Sequence, residues 1–212
     1  MKELKELEEY FYAHRKKEGV ATSNMADIVG VYAGIKPACV VGFNEEESFS
    51  ADLLELKEIL SRFGMFAVFS FRAIRGAKSF YWNEDVYISK EKETAMRLKD
   101  AFEKMWKTID DLGEIIKPEE WNEETLKIGK LLGYPMTAVE AFISDRDVMD
   151  DKDCRSFVDE KNRYYAHSKE FEREEFELYD KPLNLAIEKC APRVAKIMKS
   201  DEKKRWTEFL KG

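Results

Sequence analysis

The sequence predicts an α/β (or α+β) protein: a small mixed β-sheet of three to four strands containing one βαβ unit, wrapped and extended by many helices. Three observations predict it. Two short apolar runs, Ala38–Phe43 and Met65–Arg72, lack helical spacing and bracket a segment that has it. Beyond Ser89 the apolar positions recur mostly at steps of three and four. An apolar fraction of 44% over 212 residues is enough to build a real core.

From Lys2 to about Lys17, Leu4, Leu7, Phe11 and His14 share one face of an opening helix. A second helix over Asn24–Tyr32 is stopped by Gly34-Ile-Lys-Pro37, because proline disfavours helical geometry in the residue before it. Ala38–Phe43 is Val-rich and closed by Gly42 and Asn44, which suits a buried strand. After the acidic loop at Asn44–Glu47, Leu53, Leu56, Leu60 and Phe63 mark a helix opened by Ser48 or Ser50 and ended by Gly64. Met65–Arg72 is the second strand, parallel to the first as in a βαβ unit. Arg75–Ser79 turns into a third strand, about Tyr81–Ser89, antiparallel to the second.

Ser89 can cap a long helix whose stripe runs through Leu98, Phe102, Met105, Trp106, Ile109 and Leu112. Leu126–Leu132 and Thr137–Ser144 form a helical pair around Gly133-Tyr-Pro135, with Thr137 and Glu140 at capping-box spacing. Arg163–Ser168 reads as a fourth strand, and the remainder as helix bent or interrupted at Pro182 and Pro192. With no repeat and no Gly/Ser linker, residues 1–212 read as a single domain, whose weakest seam is the charged stretch 145–161.

A net charge of −7 and a pI near 5.2 make the average surface repel phosphate backbones and anionic lipid alike. The charged opening segment is unlike a signal peptide, and no window approaches 18 apolar residues, so the expected location is cytoplasmic. Cys39, Cys154 and Cys190 are odd in number, far apart and outside any Cys-x-x-Cys pair, and read as free thiols. The 37% of charged residues together with the absence of glutamine is the composition of a thermophilic source.

Ala33-Gly-Ile-Lys-Pro-Ala38, Ile128-Gly-Lys-Leu-Leu-Gly-Tyr-Pro135 and Arg163-Tyr-Tyr-Ala-His-Ser168 together give a resemblance over roughly residues 30 to 170. The chain resembles an uncharacterised archaeal domain-of-unknown-function family. It is also similar to a larger uncharacterised clostridial family with Gly-Ile-Lys-Pro and Leu-Gly-Tyr-Pro segments in the same order. The resemblance implies a shared fold and supplies no catalytic residues and no cofactor.

The residues themselves offer several candidates. Lys36, just before a strand, is placed to meet a phosphate or carboxylate, although the same residues also make an ordinary Gly/Pro turn. Ligands of open sheets favour the crevice outside the carboxyl ends of parallel strands, which would bring Gly42, Phe43 and Asn44 near Arg72 and Arg75. Lys36, Arg72 and Arg75 are therefore the expected anion-binding residues, with Glu45–Glu47 as the internal alternative counter-charge. His167 is the candidate general base, and Asn44, Tyr164, Tyr165 and Ser168 are supporting groups; no triad partner for His167 stands at recognisable spacing. Two histidines cannot make an all-histidine zinc site, and the aspartates from Asp145 to Asp153 lack the glycine and terminal glutamate of an EF-hand loop, so no metal is expected.

The leading functional reading is a binding protein or enzyme for a small anionic metabolite, phosphorylated or carboxylate. A non-enzymatic homo-oligomeric interaction protein, such as a homodimer, is one alternative. The other is an atypical helix-turn-helix DNA binder: Gly129, Gly133, Val139 and Phe142 fit that motif's steric pattern. Its second helix offers a glutamate and no Lys or Arg, which speaks against nucleic acid.

Overall fold

A computed structural model describes residues 2–15, 18–44, 52–75, 80–110, 114–144 and 171–209. The helical stripe of the opening segment forms α1 (Lys5–His14), with Leu7 and Phe11 buried on its inner face. Leu4, just ahead of it, is fully buried, and its amide donates to the Cys190 carbonyl at 2.7 Å. The second helix, α2 (Glu18–Ala33), starts earlier than its apolar spacing implies. Strand β1 (Ala38–Asn44) follows.

α3 (Leu53–Arg62) is capped by Asp52 and not by Ser48 or Ser50: the Asp52 carboxylate accepts from the amides of Leu54 and Glu55, each at 3.0 Å. One charged acceptor at the N-cap satisfies two first-turn donors at once, and also meets the positive end of the helix. Strands β2 (Phe66–Arg75) and β3 (Phe80–Ser89) come next.

The sheet order is β1-β3-β2, and both pairings are antiparallel. β1 and β2 therefore run in the same direction across the α3 connection, as a βαβ unit requires, but they are not neighbours. β3 lies between them, so among the described residues every strand pair is antiparallel, where a mixed sheet was expected. The hairpin link fixes β3 beside β2, and the other edge of β3 is then free to take β1.

Helices cover both sheet faces. On one, Cys39, Val41, Phe43, Val86 and Ile88 pack with apolar residues of α1, α2 and α3 and of the C-terminal helices. On the other, Ala38 and Tyr87 pack with Ala95, Leu98 and Ala101 of α4 (Lys92–Trp106) and with Ile128 of α5 (Pro118–Leu132). Helix α4 ends at Trp106, so Ile109 lies beyond it, in an isolated bridge with Ile115, and Leu112 lies outside the described residues. The Ser89 hydroxyl accepts from the Glu91 amide at 3.2 Å just ahead of α4, and donates to the Pro37 carbonyl at 2.8 Å.

α5 and α6 (Met136–Ile143) form the expected pair. A Cβ on Gly129 would stand 2.5 Å from a methyl carbon of Val139, so only glycine lets the two helices approach this closely. The capping box does not form. Pro135 occupies the N-cap, and the Thr137 hydroxyl instead donates to the Glu175 carboxylate. Phe142 is 53% exposed and rests on the Trp121 ring at 5.7 Å, so it is not an inward anchor.

The C-terminal part is α7 (Glu172–Glu175), a π-helical turn over Phe176–Asp180, α8 (Lys181–Cys190) and α9 (Pro192–Phe209). Pro182 and Pro192 both stand at helix starts, where a missing amide hydrogen is harmless. The seam at 145–161 and the fourth strand at 163–168 lie outside the described residues.

Candidate functional site

The two Gly-and-Pro segments, almost a hundred residues apart in sequence, meet in space. Gly34 ends α2 at φ +76°, a left-handed conformation that only glycine adopts without strain. The amides of Ile35 and Lys36 then both donate to the Gly30 carbonyl, at 2.9 and 3.0 Å. This reversal folds Lys36 back along the helix it has just left. Its stem crosses Gly30, where a Cβ would stand 2.9 Å from Cγ and Cδ of the lysine. Its ammonium reaches Asp27, one turn before Gly30, and donates to Oδ1.

The second segment closes over the first. Gly133 caps α5 at φ +76°, and a Cβ there would stand 2.8 Å from Cδ of Pro37. The next residue, Tyr134, presents its ring to the Lys36 ammonium, with Nζ 5.5 Å from the ring centre, inside cation–π range. The Tyr134 amide returns to the Gly129 carbonyl at 2.9 Å, which fixes the turn.

Burial separates the members of this cluster. The Lys36 side chain is 2% exposed and that of Asp27 29%. The cation is therefore internal, whereas its carboxylate partner reaches solvent. Burial pushes the Tyr134 hydroxyl above the ordinary phenol range; the Lys36 charge opposes the rise, and Asp27 and Asp180 add to it. Asp180 is fully buried at the end of the π-helical turn. Tyr134 is thus a protonated phenol whose ring lies beside an ammonium. Cys39 is inert by the same logic: burial drives its thiol far above the reactive range, and Asp27 reinforces the shift.

The register separates Lys36 from Arg72. Ala38, Ser89 and Phe66 are level at one end of the sheet, and Lys36 lies just beyond it. Arg72 is six residues further along β2, about 20 Å at the usual strand rise. Asn44 and Arg72, in contrast, both pair with Asn83, one on each side of β3, so the carboxyl end of β1 is level with Arg72, three residues before β2 ends at Arg75. Beside that end the buried Arg15 lies over the Phe43 ring, 3.8 Å from its centre. His167, Tyr164, Tyr165 and Ser168 lie outside the described residues, as do Glu45–Glu47 and Cys154. Among the described residues no group of three or more His, Cys, Asp or Glu side chains gathers as a metal site would need. Nor, among them, is any helix long and apolar enough to cross a membrane.

Asp27, Tyr134 and Asp180 are the members that local sequence reasoning does not single out. The available signal was the run Asp27, Gly30, Gly34, Lys36: a glycine-terminated helix with a small residue one turn after an acid has room for a returning lysine. Compared with protein-family models, with curated proteins and with solved structures, the chain matches none.

Proposed function

We propose that the protein binds a small anionic metabolite, carrying a phosphate or a carboxylate, at the mouth of the Lys36–Tyr134 cluster. The observation that carries this reading is the unequal burial of one ion pair: an enclosed ammonium faces a carboxylate that water already reaches. Desolvating a charge is costly, so the ammonium always requires a negative partner. Asp27 is one such partner at rest. A ligand anion can take its place while Asp27 swings into solvent, and the Tyr134 ring faces the same charge.

Arg72 and Arg75 belong to no shared site in this reading, because the strand register holds Arg72 away from Lys36. DNA binding is not advanced, since α6 carries Glu140 and no Lys or Arg. The resemblance to the archaeal and clostridial families agrees with the proposal in one respect: the segments that carry it, Gly34–Pro37 and Leu132–Pro135, are the ones that meet here.

The test is native mass spectrometry of the full chain purified without phosphate or carboxylate buffers. The expected result is a small acidic molecule retained by the wild-type protein and lost in Lys36→Met. A protein that carries nothing, and whose melting is indifferent to phosphate, citrate and phosphorylated sugars, would overturn the proposal.

A further inference from the structure

The Lys36–Asp27 pair has one member that is held and one that can turn. The lysine stem lies across Gly30, where a Cβ would stand 2.9 Å from its Cγ and Cδ, and the amides of Ile35 and Lys36 both bond the Gly30 carbonyl. Backbone and stem therefore fix where the ammonium sits. Asp27 is a short side chain on a helix face, 29% exposed against 2% for the lysine, and among the described residues its carboxylate has no hydrogen-bond partner besides Lys36. A guest entering between the two can part them by turning Asp27 alone.

The charges around the pair select the guest. Among the described residues, those acting on the Tyr134 hydroxyl are one ammonium, Lys36, and two carboxylates, Asp27 and Asp180. Asp180 is fully buried, so its charge stays inside during any exchange. A guest that is only an anion sets three negative groups against one positive one, and like charges repel strongly in a poorly solvated site. A guest that brings its own ammonium sets three against two and gives the displaced Asp27 carboxylate a new partner.

We infer that the ligand is a small zwitterion: its carboxylate or phosphate takes the Lys36 ammonium, its own ammonium takes the Asp27 carboxylate, and the protein's ion pair opens into two. Both protein charges are then partnered before and after binding, and neither is left desolvated and alone. The two ends of the ligand are joined through about one or two carbons, because Lys36 and Asp27 start in contact and each new charge-assisted hydrogen bond spans only about 2.7–2.9 Å. Amino acids and phosphorylated amino alcohols are the two sources of this chemistry. The assignment rests on the anion site proposed above and concerns the other end of the same ligand.

The test is a set of melting-temperature titrations of the full chain at neutral pH and constant ionic strength, with two ligand pairs that differ only by the ammonium: alanine against propionate, and phosphoethanolamine against ethyl phosphate. The wild type should bind the amino member of one pair roughly tenfold or more tightly than its amine-free counterpart, and which pair it is identifies the anionic end. Asp27→Asn should lose that preference and keep its response to the amine-free anion, and Lys36→Met should respond to none of the four. The wild-type comparison needs no variant, so it decides even if Asp27→Asn is too unstable to titrate. An equal or inverted preference within both pairs, or a preference that survives in Asp27→Asn, would overturn the inference. Where Lys36→Met still abolishes those responses, the anion site itself stands; a wild type that responds to no member of either pair would overturn both.

Discussion

Gly133 and Pro37 are in direct contact across the fold: a single carbon added to the glycine would stand 2.8 Å from Cδ of the proline. This contact locks the loop between α5 and α6 onto the turn that leads into β1. Gly133→Ala adds that carbon to a residue at φ +76° and suffers twice, from backbone strain and from the clash. Urea unfolding should show a loss of about 1 to 3 kcal/mol. A loss no larger than that of an exposed surface substitution would mean the two turns are not in register.

Gly129 and Val139 give the corresponding test for the helix pair. Gly129→Ala alone should cost about 1 to 3 kcal/mol, because the added methyl falls on the valine side chain. In the double variant with Val139→Ala the clash is relieved, and the combined loss should be smaller than the sum of the two single losses. Strict additivity would show that the helices are not packed through this contact.

How much of this was legible in the sequence depends on how local each feature is. β1 was readable because Ala38–Phe43 is apolar without helical spacing, and the glycine stops were readable because few residues take a positive φ. The insertion of β3 between β1 and β2 was not, since no local pattern encodes which edges pair. Ser48, Ser50 and Asp52 are all good N-caps by residue type, and only the point at which α3 begins selects Asp52. Lys36 was legible as an anchored cation. Its partner was not, because Asp27 comes nine residues earlier in the middle of a helix and meets it only through the reversal at Gly34.

The core around α4 makes a graded prediction. Leu98 is fully buried on the sheet, so Leu98→Ala should cost about 2 to 5 kcal/mol in chemical denaturation. Phe142 is half exposed, and Phe142→Ala should cost well under half as much. Equal losses would contradict the burial of the α4 stripe.

Glu8 sets a pH dependence. Burial raises its carboxyl above 4.5, against the opposing backbone hydrogen bonds from Val194 and Arg193. Its carboxylate accepts from the Val194 amide at 2.9 Å, at the start of α9. In the window above 4.5 the folded state holds this proton more firmly than the unfolded chain does, so the group's contribution is complete at low pH and is lost as pH rises through the folded value. Glu103 has the opposite sign, since its hydrogen bond from Lys99 lowers its carboxyl. The difference between wild type and Glu8→Gln isolates the first effect. Glutamine keeps the acceptor and removes the charge, so its melting temperature relative to wild type should rise as pH increases from 4.5. A constant difference would contradict the burial of an ionisable group there.

Asp27 and Lys36 should respond unequally to removal. Asp27→Asn removes a carboxylate from an enclosed ammonium and should cost about 2 to 4 kcal/mol, whereas Lys36→Met preserves the buried stem and leaves a carboxylate that water reaches. Thermal unfolding in a phosphate-free buffer should therefore rank Asp27→Asn below Lys36→Met. The reverse order would place the desolvated charge on the wrong partner.

The same two variants give the most direct test of the anion site, in a titration of melting temperature against inorganic phosphate at constant ionic strength. A ligand that binds only the folded state raises its melting temperature by mass action. If Asp27 is a resting counter-ion that a ligand replaces, Asp27→Asn should respond at lower phosphate concentration and with a larger rise than the wild type, and Lys36→Met should not respond. A phosphate response that is the same in all three proteins, or absent from Asp27→Asn, would show that the Lys36 ammonium is a closed internal ion pair and not a binding site.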